Sequence, residues 1–247
     1  MQVGIQLYNF REALAADFQG TLRKVAALDA DGVEFFCYGG MEPQALADLL
    51  GELNLKCAGT MFGRDELLDP GSKAWRVAEA LKSPAVTVSD LRDFAAEWEI
   101  VCDYCREIGK IAAGKGLVFS YHNHWAEFVK TNGRTAMDWI LESCDAEEVF
   151  MEPDICWLTR GGEDPAAFIR RYGKRIKQVH CKDIKQPEVP ETTAELGQGV
   201  VNVPECLKAA KDIDAEWVIY EQDFTADPFV SAEKSLAYLK DQLRRIQ

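Results

Sequence analysis

Four short runs in the second half of the chain share one pattern, an apolar, strand-like lead-in that ends in ionisable residues. They are Tyr121-His122-Asn123-His124, Met151-Glu152-Pro153-Asp154, Val179-His180-Cys181-Lys182-Asp183 and Tyr220-Glu221-Gln222-Asp223. All three histidines of the chain fall inside them. Histidines used only for packing or solubility would be spread over strands, helices and loops. Imidazole and carboxylate donors without thiolate form a hard-to-borderline set, suited to one divalent cation such as Mn²⁺, Co²⁺, Mg²⁺ or Zn²⁺. The alternative is a network of buried ion pairs, for example His180 with Asp154, that holds nothing else. Burying such groups unpaired is costly, and successive ionisable strand ends favour the cation. Imidazole also titrates near neutral pH, so the same set can move protons.

The elements that must position these residues follow from periodicity. Short β-branched runs at 3–8, 32–36, 56–61, 85–89, 117–122, 149–153, 176–180 and 217–221 read as strands. Stretches of helical period alternate with them at 18–28, 43–54, 73–81, 91–113, 135–143, 165–172, 203–212 and 231–245. Asp164-Pro165 reads as an N-cap followed by proline at the first helical position. Gly173, after Arg170-Arg171-Tyr172, reads as a helix stop. Eight strand–helix units in 247 residues match a single α/β (β/α)₈ TIM barrel. A doubly wound open sheet is the rival, but no G-x-G-x-x-G follows the first strand. No proline-rich or Gly/Ser-rich linker interrupts the pattern, so residues 1–247 read as one domain. Active sites in such barrels lie at the C-terminal ends of the strands, where the four ionisable runs end; among the first four strands only Glu34 stands out.

Composition removes several partners. Lys and Arg number 28 against 41 Asp and Glu, a net charge of −13. Nucleic-acid binding needs clustered cations to release counterions, and no basic run is present. No 18-residue apolar stretch exists to span a membrane. The chain opens on a strand-like run without a basic segment and apolar core, so no secretory leader is expected. Eight cysteines are scattered and read as reduced, buried small residues in a cytoplasmic protein. Cys102-x-x-Cys105 has redox or zinc spacing but lies inside a long helical pattern, with no second pair nearby.

A longer series of segments carries a resemblance. It joins Tyr121-His122-Asn123-His124 with Glu127-Phe128, Asp154-Ile155-Cys156-Trp157, Gly161-Gly162 and Asp164-Pro165. His180-Cys181-Lys182-Asp183, Glu195-Leu196-Gly197-Gln198-Gly199 and Glu221-Gln222-Asp223 complete it. In this order the chain resembles the sugar phosphate isomerase/epimerase family, the xylose isomerase-like barrels that include inosose dehydratases and tagatose-type ketose epimerases. The resemblance implies one divalent metal, manganese among the candidates, with Asp154, His180 and Glu221 at ligand positions. Where the ketose epimerases carry a further glutamate, this chain has His122, with Glu127 further along the loop.

The implied activity is that of a sugar isomerase or epimerase in carbohydrate metabolism. It removes the proton α to a carbonyl and passes through an enediolate that the metal stabilises. Glu221, His122 or His124 would serve as base, and Lys182 would face the developing oxyanion, with a salt bridge to Asp183 as its alternative. Trp157, Glu127, Asn123 and Tyr8 are expected at the substrate, and Phe62 groups with Tyr8 and Trp157 as aromatic wall, with packing as the alternative. The alternative reading is a metal-dependent lyase or dehydratase acting on a keto-sugar, keto-glycoside or inosose. His122 favours it, since symmetrical two-glutamate epimerisation lacks its second glutamate. The Gly197-Gln198-Gly199 loop lacks a Ser/Thr/Lys cluster and carries Glu195, so an unphosphorylated sugar or cyclitol is expected. DNA-repair endonucleases on the same barrel hold three zinc ions and need more histidines than this chain has. A homo-oligomer is left open.

Overall fold

Short parallel strands, buried on both faces, build the centre of the molecule. A computed structural model describes residues 1–246. In chain order the strands are β1 (Gln2–Gln6), β2 (Gly32–Phe35), β3 (Lys56–Met61), β4 (Val86–Ser89), β5 (Phe119–His122) and β6 (Phe150–Glu152). After them come β7 (Gln178–Cys181), β8 (Asp183–Ile184), β9 (Thr193–Ala194) and β10 (Trp217–Tyr220). Eight strands hydrogen-bond in the order β6-β5-β4-β3-β2-β1-β10-β7, and all these pairs are parallel. Parallel bridges Met151–Ile176 and Asp154–His180 bring β7 back to β6. The sheet is therefore a nearly closed (β/α)₈ barrel, as the alternation predicts.

Helices cover the outside because parallel neighbours need a crossover between them. The main core joins strand residues such as Ile5 and Val33 to helix residues such as Leu22 and Leu46. Local signals set the helix ends. Asp164 accepts from the backbone N–H groups of Ala166 and Ala167 at the start of the helix Pro165–Tyr172. Thr135 and Asp138 form a reciprocal capping box on Ala136–Ser143. Gly173 stops the helix Pro165–Tyr172 as expected, in a right-handed conformation, and the chain runs on into a 3-10 turn, Gly173–Arg175. Its missing side chain serves packing, since a Cβ there would lie 2.4 Å from Ile213. Among the described residues, no helix is long and apolar enough to cross a membrane.

Alternate residues of each strand face the barrel axis, because successive side chains point to opposite faces. At the bottom Ala58, Trp217 and Ile219 form an apolar cluster of their own. On the other strands Gln6, Glu34, Glu152 and Gln178 make a fully buried polar layer. Two residues beyond that come His180, Asp154 and, at the mouth, Lys182, all buried. Room for the polar layer depends on Gly59, where a Cβ would lie 2.3 Å from Glu34 Oε1 and 2.7 Å from Gln178 Nε2. Pairing of β2 with β3 shifts register between Val33 and Glu34. Around the mouth the structure adds elements that periodicity misses: the helices Arg11–Ala16, Arg64–Leu68 and Ile155–Arg160, and the β8–β9 pair. Each is too short to display a helical or strand period over a window of sequence.

Candidate active site

β5, β6, β7 and β10 end side by side at the mouth and deliver His122, Asp154, His180 and Glu221 to one place. One donor atom from each lies within 4.8 Å of every other, and all four residues are buried. Asp154 is held by its own helix: Oδ1 accepts from the backbone N–H of Cys156 at 2.8 Å and of Trp157 at 3.1 Å. The Asn123 side chain accepts from the Asp154 backbone N–H at 3.2 Å. Oδ2 is thereby turned to the cluster, buried and without an aligned hydrogen bond, although Lys182 Nζ lies 3.2 Å away. His180 places Nδ1 3.2 Å from Glu221 Oε2 and Nε2 2.6 Å from Glu34 Oε2. His122 places Nε2 4.0 Å from Asp154 Oδ2 and Nδ1 3.3 Å from Glu152 Oε2.

Lys182 is the buried counter-charge of this cluster. Its ammonium lies 2.8 Å from Glu221 Oε2, 3.0 Å from Asp223 Oδ2 and 3.2 Å from Asp154 Oδ2. The alternative pairing with Asp183 does not form. Asp183 instead accepts from the backbone N–H groups of Ile184, Gly197, Gly199 and Val201. The Gly197 and Gly199 amides of this loop are thus engaged by an internal carboxylate and that of Gln198 by the Glu195 carbonyl, where a phosphate-binding loop would keep them for ligand.

Burial and charge act against each other throughout the cluster. Burial opposes the charge on Lys182, yet Asp154, Asp223 and Glu221 outweigh it and hold its value well above the ordinary lysine range. Burial likewise opposes the charge on His180, but Glu152 and Glu34 push its value well up. Glu221 is held well below the usual carboxylate range, Lys182 and then His180 overcoming burial. Glu34 is pushed up to about 8 by burial and by the neighbouring Glu152. Burial takes His124 down to about 3, with His122 and Lys182 adding to it, so that imidazole is neutral at physiological pH. The donor set fits a divalent cation: nitrogen and oxygen atoms only, converging, with Asp154 Oδ2 buried and lacking an aligned donor.

Above the cluster opens a cleft of about 490 Å³, with His122, His124, Lys182 and Glu221 in its floor and walls. Trp157 and Tyr8 line it as expected; Tyr8 meets Phe36 edge-on at 5.3 Å. Phe62 does not reach it. That ring is buried against Tyr38 at 5.8 Å, in a neighbouring pocket. Asn123 and Glu127, expected at the substrate, are fully buried and outside the cleft lining. Asn123 pins Asp154, as described above. Glu127 accepts from the Tyr121 hydroxyl at 2.9 Å and from the His124 backbone N–H at 3.0 Å, and so shapes the loop after β5. Trp125 lines the cleft without having been singled out, 5.1 Å from Trp157; its place directly after His124 was the available signal. Cys102 and Cys105 are free and buried in the helix Phe94–Gly114. Among the described residues neither belongs to a ligand cluster.

Glu127 gives a pH test away from the cluster. Burial pushes its carboxyl up to about 7, above its value in an unfolded chain. The folded state then binds the proton more tightly, so this residue weakens stability as pH rises from about 4.5 to about 7. Glu127→Gln keeps an acceptor and has no charge to bury. Its stability relative to the parent should therefore improve across that window by about 2–3 kcal/mol. Urea denaturation at pH 4.5 and 7.5 measures this, and a pH-independent difference would contradict the buried carboxyl.

Barrel closure and a His/Asp/Glu cluster at the C-terminal mouth define an enzyme-type TIM barrel. The chain belongs to the xylose isomerase-like TIM barrel family, whose sequence pattern matches residues 22–242. Among its relatives is the inosose dehydratase of Clostridium beijerinckii, 27% identical over 165 residues, which span 59% of this chain and 55% of that protein. The chain thus spans about half the length of the curated relatives it matches. A sugar phosphate isomerase/epimerase from Parabacteroides distasonis superposes with a TM-score of 0.81 at 20% identity, over 97% of this chain and 93% of its own. An IolI protein with a zinc atom superposes at a TM-score of 0.76 and 14% identity, over 100% and 99%. At these identities the two structures speak for the fold.

Proposed function

We propose that this chain is a divalent-metal-dependent sugar isomerase or epimerase acting on a small, unphosphorylated sugar or cyclitol. It removes the proton from the carbon beside a carbonyl and returns a proton to the product. The observation that carries the reading is the convergence of His122, Asp154, His180 and Glu221 on one point beside the buried Lys182, at the floor of an aromatic-walled cleft. Those four residues would hold the cation; the zinc atom in the IolI structure is consistent with one. When bound, the cation supplies Lewis-acid stabilisation of the negative charge that develops on a substrate oxygen.

The chain's own residues do the rest. Glu221 lines the cleft and makes its contacts with Lys182 and His180 through Oε2. Held ionised by those neighbours, it serves as base. Lys182 sets a fixed positive charge at the floor, 4.7 Å from the Trp157 ring, where it favours developing negative charge on the substrate. Trp157, Trp125 and Tyr8 give the apolar faces on which a sugar ring stacks and from which water is displaced. The occupied amides of the Gly197-Gln198-Gly199 loop favour an unphosphorylated substrate.

A second reading, elimination of water from a keto-sugar or inosose, draws on one observation. The cluster contains a single glutamate, Glu221, with His122 at the end of β5, so proton removal by one carboxylate is better provided for than symmetrical two-glutamate exchange. The inosose dehydratase relatives agree with it. Incubating the metal-loaded protein with ketoses and inososes in D₂O separates the two. Solvent deuterium in a product of unchanged composition is expected for the isomerase or epimerase. Loss of water from the carbon skeleton would favour the lyase. Neither deuterium uptake nor water loss on any substrate, with the metal retained, would remove both.

A further inference from the structure

Beneath the mouth cluster lies the second tier of carboxylates, Glu34 and Glu152, to which neither ligation nor catalysis falls. We propose that they are positioning residues: Glu34 holds the ring of His180 and Glu152 that of His122, each turning one imidazole nitrogen toward the cation. The proposal rests on the metal reading given above.

An imidazole that ligates through one nitrogen leaves the other to find a partner. In a layer without exposed surface that partner must come from the protein, because an unsatisfied polar atom there is costly. Glu34 Oε2 lies 2.6 Å from His180 Nε2, which leaves Nδ1 on the Glu221 side. Glu152 Oε2 lies 3.3 Å from His122 Nδ1, within ion-pair reach but short of an aligned hydrogen bond, which leaves Nε2 on the Asp154 side. A carboxylate that accepts the outer N–H selects the tautomer whose lone pair faces the metal and fixes the ring plane. Glu152 is placed for this by register, since β5 and β6 pair His122 with Glu152. Glu34 reaches its histidine across the barrel, from β2 to β7.

The lower tier is itself locked. Gln6 Oε1 accepts the Tyr8 backbone N–H, which aims its Nε2 at Glu34 Oε2, 2.8 Å away. Gln178 Nε2 donates to Glu34 Oε1 at 2.9 Å and also to Glu152. Both oxygens of Glu34 are therefore engaged, and the carboxylate cannot turn without breaking contacts on β1 or β7. Gly59 leaves the space it fills.

The competing use of the same atoms is a second cation, because donor atoms of Glu34, Glu152 and His180 also lie within 4.8 Å of one another. Titrating the chelator-stripped full chain with Mn²⁺ by calorimetry, and with Co²⁺ by visible absorption, decides between them. One ion per chain is expected. Glu34→Gln and Glu152→Gln, close in volume to the parent residues, should each weaken it by about 10- to 100-fold and alter the Co²⁺ band. Gly59→Ala retains both carboxylates but displaces Glu34, and should weaken binding in the same direction. It also keeps the test open if a glutamine variant fails to fold by circular dichroism. Unchanged affinity and an unchanged Co²⁺ band in folded variants would overturn the positioning role, as would two ions in the parent chain. A parent chain that binds no ion would overturn the metal reading itself, an outcome distinct from either.

Discussion

Asp154→Ala is expected to leave the barrel folded yet unable to retain a divalent cation, with kcat/KM lowered by roughly 10³-fold or more. The residue has two separable tasks. Its Oδ1 caps the helix Ile155–Arg160, and its Oδ2 faces His122 and Lys182. Alanine removes both and should cost about 1 kcal/mol of stability for the lost cap, besides the metal. Asp154→Asn retains a capping oxygen while removing the charge. It should therefore keep near-parent stability and still lose the ion. Glu221→Ala should match alanine at position 154 in metal loss, since Glu221 supplies another of the converging donors. Metal content after gel filtration, with urea denaturation as the control, measures each effect. Full occupancy in both Asp154→Ala and Glu221→Ala would sink the site.

Lys182→Met should be the most destabilising change at the mouth, by about 3–5 kcal/mol in the metal-free protein. Methionine fills much of the same volume but leaves Asp154, Glu221 and Asp223 without their shared ammonium. Removing one partner of a buried ion cluster costs far more than the pair contributes net, because the remaining charges stay desolvated. A bound cation answers the same carboxylates, so added Mn²⁺ should recover part of the loss in this variant. Chemical denaturation with chelator and with Mn²⁺ tests this. A metal-free stability within about 1 kcal/mol of the parent would show that the three carboxylates are compensated elsewhere.

The mouth residues were legible because a strand alternates with period two and each barrel unit repeats strand, mouth loop and helix. His122, Asp154, His180 and Glu221 could be placed at adjacent strand ends from local pattern alone, and the structure brings their donor atoms together. Glu34 was visible as an ionisable residue in an apolar run, but its partner His180 lies on β7. Glu127 shows the limit from the other side. The family resemblance implied for it a part in ligand or substrate contact, yet a 3-10 turn, Ala126–Phe128, directs its carboxylate to Tyr121 and the His124 backbone. Phe62 stands at a strand end like Tyr8, but packs on Tyr38 outside the cleft.

Period, length and capping residues are local properties, and they were sufficient for a (β/α)₈ barrel with imidazoles and carboxylates at one end. Partner choice inside that barrel was not local. Lys182 passes over its neighbour Asp183 for Asp154, Glu221 and Asp223, because backbone amides of the following loop have already taken the Asp183 carboxylate. Glu34 meets His180 across 146 positions of sequence. Closure and register of the barrel set those distances, together with the space left at Gly59. No window of residues carries them, since they arise only when strands far apart in the chain share one interior.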